Sequence, residues 1–279
     1  MDEKYIELKT RMAAIWDLDK AQAVLSWDRD TKLPPKGTPA RTRQISTLSR
    51  LIHEQLTSPE VGQLLEELTP WLDELDFDSD QAALIRLAQR EYRRSTAIPT
   101  ELVVAQSKAA GEANAAWIKA REQDDFDSFA PHLERMFDLA QEYAACFPEA
   151  EHPYDALLDQ YEPGMTVSTV TRIFNQVKEP QSELIKAISE SGVEIDDSLL
   201  HQYFPHDQQL EAALEAVQIL GYDLARGRLD LTTHPFCTSF SVDDVRITTR
   251  VYENFLNACL FASMHESGHA MYELSLIHI

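Results

Sequence analysis

The chain has 279 residues, of which 44% are hydrophobic and 26% charged, a composition typical of a folded globular protein. Its 47 acidic and 25 basic side chains give a net charge of −22 at pH 7. This charge repels phosphate backbones and anionic lipid, and no apolar run is long enough to span a bilayer, so nucleic acid and membranes are not expected partners.

Helical periodicity covers most of the chain and predicts a mainly α fold. One predicted helix follows Pro99, where apolar and small residues recur on a single stripe from Leu102 to Ala120 and allow close helix packing. The other long predicted helices occupy residues 2–27, 38–56, 80–96, 126–147 and 167–191.

Local signals add detail to these helices. Pro180 is expected to break or kink the helix over residues 167–191. Asp207 and Gly221 are the predicted N-cap and C-cap of a further helix. The prolines and glycine of residues 33–37 predict a loop between two helices. The sequence shows no repeat and no interdomain linker, so it predicts a single domain over residues 1–279.

The cysteines and the N-terminus indicate the compartment. Cys146, Cys237 and Cys259 are widely spaced in apolar surroundings, as expected of reduced, buried thiols. The N-terminal residues show no basic region followed by an apolar stretch, so no secretory signal is visible. These features predict a cytoplasmic protein.

Residues 229–250 are the predicted exception to helix, because β-branched residues and period-two alternation replace the helical step. Val245 and Ile247 would face one side of a strand, and Asp244, Arg246 and Thr248 the other. The polar face is either an ordinary solvated face or one wall of a cleft beside the helix that follows. His234 is a further candidate for that cleft, although an isolated histidine is more often structural.

The segment His265-Glu266-Ser267-Gly268-His269 has the spacing of a zinc hydrolase site. On a helix, His265 and His269 lie one turn apart on the same face, where both imidazoles can reach one metal ion. Glu266 lies beside them and can act as the general base toward a water molecule. The alternative is that these are ordinary histidines on a packed helix.

Several segments together resemble the M32 metallocarboxypeptidases, also called the carboxypeptidase Taq family. The strongest matches are the His-Pro-Phe, Asp-x-Arg-x-Thr and His-Glu-x-x-His elements, in this order and spacing. The matching segments are residues 25–28, 152–159, 161–166, 227–230, 234–236, 244–250 and 265–273.

The resemblance implies a nearly all-helical metalloprotease fold with a small β-sheet beside the active-site helix. It implies a homodimer that removes amino acids from peptide C-termini with Zn²⁺, or with Co²⁺ as a possible metal. His265 and His269 would be metal ligands and Glu266 the catalytic base. The residues on the substrate side would be His234, Asp244, Arg246 and Thr248.

The chain also departs from the family. The third metal ligand of the family is a Glu on a later helix, expected beyond the end of this chain. Residues 274–279 do not resemble the family, so truncation with an unrelated tail is expected. His278 would lie about 180° around the helix from His269 and is a poor substitute. The metzincin pattern fails as well, because the required positions hold Tyr272 and Ser275.

These features predict weak zinc binding and poor activity for the chain itself. Two alternatives remain open at this point. One is an HExxH zinc endopeptidase, which shares the metal chemistry and differs in how the end of the substrate is recognised. The other is a non-catalytic helical interaction protein.

Overall fold

The structure, a computed structural model, describes residues 2–275 and confirms a mainly α fold with a small sheet. No helix within these residues is long and apolar enough to cross a membrane. The elements in chain order are α1 (Asp2–Thr31), α2 (Thr38–Leu56), α3 (Pro59–Leu68), α4 (Asp80–Thr96), α5 (Thr100–Gln123), α6 (Phe126–Ala145), α7 (Pro153–Leu158), α8 (Val167–Glu190), α9 (His206–Ile219), β1 (Leu229–Leu231), β2 (Cys237–Ser241), β3 (Asp244–Thr249) and α10 (Asn257–Leu274).

The chain forms two compact units. The first combines the residues up to Tyr92 with those from Asp197 onward, and the second is Arg93–Asp196. In the second unit, α5 packs against α6 around Leu102 and Leu139. The single-domain organisation stays a prediction.

The N-terminal helices of the first unit share one apolar core. Leu8 of α1, Leu68 of α3 and Ile85 of α4 are fully buried in it. Each occupies the apolar stripe of its helix, so burial against neighbouring helices stabilises a fold that helix propensity alone would not. This packing sets the course of α1, which continues to the sheet.

The sheet has the strand order β1-β3-β2, with β1 parallel and β2 antiparallel to β3. Val245 and Ile247 of β3 are fully buried in a core that they share with Val217 of α9 and Ala270 of α10. Because these side chains alternate along β3, one whole face of the strand packs toward α9 and α10. This core fixes the position of α10.

Three local predictions have different outcomes. Of the predicted break or kink at Pro180, the break is wrong, because α8 runs through this residue on a solvent-exposed stretch where water can satisfy the carbonyl that loses its partner, and the kink stays a prediction. The predicted N-cap at Asp207 is also wrong: the carbonyl of Pro205 accepts the first helical hydrogen bond, from the Gln209 N–H. The C-cap of α9 is Leu220, one residue before the predicted Gly221, which follows the helix with φ +105° as a helix-terminating glycine does.

Candidate metal and catalytic site

The sequence of α10 determines which side chains are buried and which are presented to solvent. Cys259, Ala270 and Leu274 lie in the core, and the Cys259 carbonyl accepts a hydrogen bond from the Thr249 hydroxyl of β3 at 3.1 Å. His265 and His269 lie on the exposed side of the same helix. The apolar residues therefore anchor α10 and orient both imidazoles outward.

The two imidazoles converge on one point. The Nε2 atoms of His265 and His269 are 3.2 Å apart, and the ring planes cross at 82°. Zinc–nitrogen bonds of about 2.0–2.1 Å in tetrahedral geometry would separate two ligand nitrogens by about 3.3 Å. The pair thus fits two adjacent positions of a zinc site. Among residues 2–275, no group of three or more His, Cys, Asp or Glu side chains could hold a metal ion.

Glu266 differs from the exposed His265 and His269 because it is buried, with 7% of the residue exposed. Burial raises the pKa of the Glu266 carboxyl, and the nearby His265, His269 and His234 lower it to a smaller extent. A carboxylate with a raised pKa is a stronger base, which suits it to accept a proton from water near neutral pH.

A cleft of about 610 Å³ borders this helix within the first unit. One wall is α10, through Glu266, His269 and Glu273. The opposite walls are α1, which contributes Lys20, and residues 235–239, which lead into and form most of β2. The base and one imidazole therefore face a space that is large enough for a peptide segment.

The predicted substrate residues on β3 lie elsewhere. Asp244, Arg246 and Thr248 alternate with the buried Val245 and Ile247, so they occupy the face of the strand opposite α10. None of the three lines the cleft within the described residues. The structure therefore does not bring them together with the helix motif.

Each of these β3 side chains has partners of its own. Arg246 forms two 2.8 Å hydrogen bonds with the Asp244 carboxylate and lies over the Trp27 ring at 4.5 Å. The buried Thr248 hydroxyl accepts from the Phe236 N–H at 2.8 Å and donates to the Phe236 carbonyl at 3.0 Å. Thr248 thus holds the backbone of the wall that lines the cleft.

His234 is closer to the site than the β3 residues. It is exposed and lies just before the cleft wall at residues 235–239. Its charge acts on the carboxyl of Glu266, as do those of the two motif histidines. His234 therefore lies next to the cleft wall but does not itself line the cleft within the described residues, and its place in the site stays a prediction.

Three ionisable residues that line the cleft, Glu273, Lys20 and Cys237, were not identified as site residues from the sequence. Glu273 could have been predicted, because it follows His269 at the i+4 position and therefore lies on the same face of the helix. Lys20 could not have been predicted, because its Nζ donates to the carbonyl of Ser239, which is 219 residues away in the sequence. Cys237 was expected only as a reduced, buried thiol; it is a free cysteine, but Cys237 and Cys146 are only partly buried, and the predicted burial holds for Cys259 alone.

The Cys237 thiol is held in its neutral form. Burial raises its pKa to about 12, and the charges of Glu266 and Glu273 add to this effect. At pH 8 the thiolate fraction is then roughly a thousandfold below that of a thiol with an ordinary pKa of about 8.5. The raised pKa favours the folded state at neutral pH, and this contribution is lost as the pH rises from about 8.5 toward about 12.

We therefore expect Cys237 to react with iodoacetamide at pH 8 at least about a hundredfold more slowly in the folded chain than in urea. Peptide mapping by mass spectrometry at several times measures both rates. Glu273→Gln removes one of the nearby negative charges and is expected to speed the reaction. Equal rates in the folded and unfolded chain would contradict a partly buried thiol that is held neutral.

Comparisons with known proteins show the family to which the chain belongs. The model of the family described as Carboxypeptidase Taq (M32) metallopeptidase matches residues 7–278. Thermostable carboxypeptidase 1 of Thermus thermophilus is 41% identical over 263 residues, covering 91% of this chain and 52% of the relative. Carboxypeptidase 1 of Bacillus subtilis is 36% identical over 279 residues, covering 99% and 54%.

A comparison of the fold with solved structures also finds a carboxypeptidase. A solved structure of Pyrococcus furiosus carboxypeptidase superposes with a TM-score of 0.84 at 32% identity, covering 99% of this chain and 55% of that one. The chain spans about half the length of the curated relatives that it matches. The family match over residues 7–278 confirms the resemblance carried by the sequence motifs, and the chain belongs to the carboxypeptidase Taq (M32) metallopeptidase family.

Proposed function

We propose that this chain carries the metal-binding and proton-transfer part of a zinc-dependent carboxypeptidase that releases C-terminal amino acids from peptides. The observation that supports this most directly is the convergence of the His265 and His269 Nε2 atoms to 3.2 Å beside the buried Glu266. The cleft next to them provides room for a peptide.

In this proposal His265 and His269 hold Zn²⁺, with Co²⁺ as a possible substitute. The bound metal would supply Lewis-acid chemistry, polarising the scissile carbonyl and acidifying a water molecule. Glu266 accepts the proton of the attacking water and transfers it to the leaving amine. The burial that raises the pKa of Glu266 supports both transfers.

The remaining candidates act on the substrate side. We assign His234 to the polarisation of the scissile carbonyl or the orientation of the substrate backbone, because it directly precedes the cleft wall at residues 235–239. Thr248 would act indirectly, through its two hydrogen bonds to Phe236 of the cleft wall. Asp244 and Arg246 would stabilise the sheet that carries this wall, since their ion pair lies on the α1 side of β3.

The proposal includes a limit on activity. A catalytic zinc ion usually has three protein ligands, and the described residues supply two that converge. We therefore propose weak zinc binding and slow turnover for this chain. The three free cysteines are consistent with a cytoplasmic location. The homodimer implied by the resemblance stays a prediction that sedimentation analysis can test.

The test uses one N-terminally blocked peptide in two forms, with a free C-terminal carboxylate and with a C-terminal amide. With zinc and long incubation, we expect slow stepwise shortening of the free acid from its C-terminus, resistance of the amide, and no shortening with the Glu266→Gln chain. Mass spectrometry identifies every product. Internal cleavage of both forms would favour an endopeptidase, absence of any product would contradict the enzymatic proposal, and rapid turnover would contradict the two-ligand limit.

A further inference from the structure

Lys20 of α1 projects into the cleft that faces the candidate base. Its Nζ donates a hydrogen bond to the Ser239 carbonyl at 3.0 Å and lies 4.1 Å from the centre of the Trp16 ring. The same cleft is lined by Glu266 and His269. The ammonium group is therefore held in place on the wall across from α10.

The carbonyl that holds Lys20 belongs to the free edge of the sheet. The N–H groups of Val245 and Ile247 point toward β1, because they donate to the carbonyls of Arg226 and Arg228. The alternate N–H groups of β3 point toward β2, as the bond from Thr248 N–H to the Phe236 carbonyl shows.

The antiparallel register then fixes the direction of the β2 backbone groups. Thr238 lies opposite Arg246 and pairs with β3, so the flanking Cys237 and Ser239 present their N–H and carbonyl groups to the cleft. Lys20 engages one carbonyl of this edge. Both α1 and the sheet edge therefore position its charge.

Lys20 has capacity for a further partner. An ammonium group has three N–H donors, of which one is used by Ser239 and one side faces the Trp16 ring. Within residues 2–275 it forms no ion pair with a carboxylate, although the net charge of the whole chain is −22. Arg246, a substrate-side residue in the family resemblance, is by contrast paired with the Asp244 carboxylate.

We propose that Lys20 binds the terminal carboxylate of the peptide in this cleft. The inference rests on the proposed carboxypeptidase function and adds the residue that distinguishes a free C-terminus from a continuing chain. A cation is needed for this purpose because Glu266 and Glu273 make the opposite wall repel anions. A lysine held by a neutral carbonyl and a ring keeps its charge available, whereas a lysine paired with a carboxylate would not.

The test measures peptide binding rather than turnover. In a Glu266→Gln background with zinc, isothermal titration gives the Kd of N-acetyl-tetraalanine and of its C-terminal amide. We expect the free acid to bind about tenfold tighter than the amide, the value of one charge-assisted hydrogen bond. Lys20→Gln is expected to remove this preference, and Lys20→Arg to restore most of it.

Lys9→Gln is the matched control, because it removes the same charge from an exposed position of the same helix and should leave the preference unchanged. A tenfold preference that survives in Lys20→Gln would overturn the role of Lys20 and leave the proposed function intact. If the Glu266→Gln chain with Lys20 unchanged binds the free acid and the amide with equal Kd, or binds neither peptide detectably, the proposed function and this inference are both contradicted.

Discussion

Zinc is expected to stabilise the chain against unfolding, and His269→Ala is expected to abolish this effect. A ligand that binds only the folded state stabilises it by about 2.7 kcal/mol when its concentration is one hundred times the Kd. Removing one of two convergent imidazoles leaves a single protein ligand, which cannot hold the ion at that concentration. Thermal unfolding with increasing zinc, followed by circular dichroism, measures the shift in Tm.

Two variants show whether the effect belongs to this site. His132→Ala removes a histidine from α6 and is expected to keep the full zinc-dependent shift. Glu266→Gln is expected to keep it as well, because Glu266 is assigned as a base and not as a ligand. A helix that merely packs predicts no zinc-dependent shift in any variant, so an equal shift in His269→Ala and the unchanged chain would contradict the assigned site.

Local patterns predict the helix motif well. The i, i+4 spacing requires His265 and His269 to share a face, and their Nε2 atoms lie 3.2 Å apart in the structure. The face on which a side chain lies can be predicted from the sequence because it depends only on the geometry of one helix.

The sheet shows where local reasoning ends. Alternation correctly separates Asp244, Arg246 and Thr248 from Val245 and Ile247, but it carries no information on which neighbour covers each face. The apolar face meets α10, and the polar face meets α1, where Arg246 lies over Trp27. The expectation that the polar face lines the cleft was one of two alternatives left open by the sequence.

The cleft wall formed by α1 and β2 could not be predicted from the sequence, because it depends on a contact between distant parts of the chain. Lys20 and Ser239 are separated by 219 positions, and their contact depends on where α1 ends up against the edge of β2. The short helices α3 and α7 were missed as well, since ten and six residues give too few turns for a clear period. Their existence depends on tertiary packing and on capping by Ser58 and His152.

Gly227→Ala is expected to destabilise the first unit by about 3 kcal/mol or more. A Cβ at this position would overlap the Tyr222 hydroxyl and the Val245 carbonyl, which are joined by a buried hydrogen bond of 2.7 Å. Overpacking costs about 1–3 kcal/mol, and losing the bond adds roughly 1–3 kcal/mol if a buried polar group is left without a partner. Urea unfolding gives the free energy of unfolding.

The same experiment has a matched control within α10. Gly268 is exposed, with no atom within 4 Å of an added Cβ, so Gly268→Ala is expected to stabilise the chain by about 0.5–1 kcal/mol through helix propensity. Tyr222→Phe is expected to lose about 1–3 kcal/mol, because the Val245 carbonyl loses a donor without any steric overlap. A loss in Gly227→Ala no larger than that of Tyr222→Phe would mean that the backbone relaxes around the new methyl group, and would contradict the close packing of Gly227 against Tyr222 and Val245.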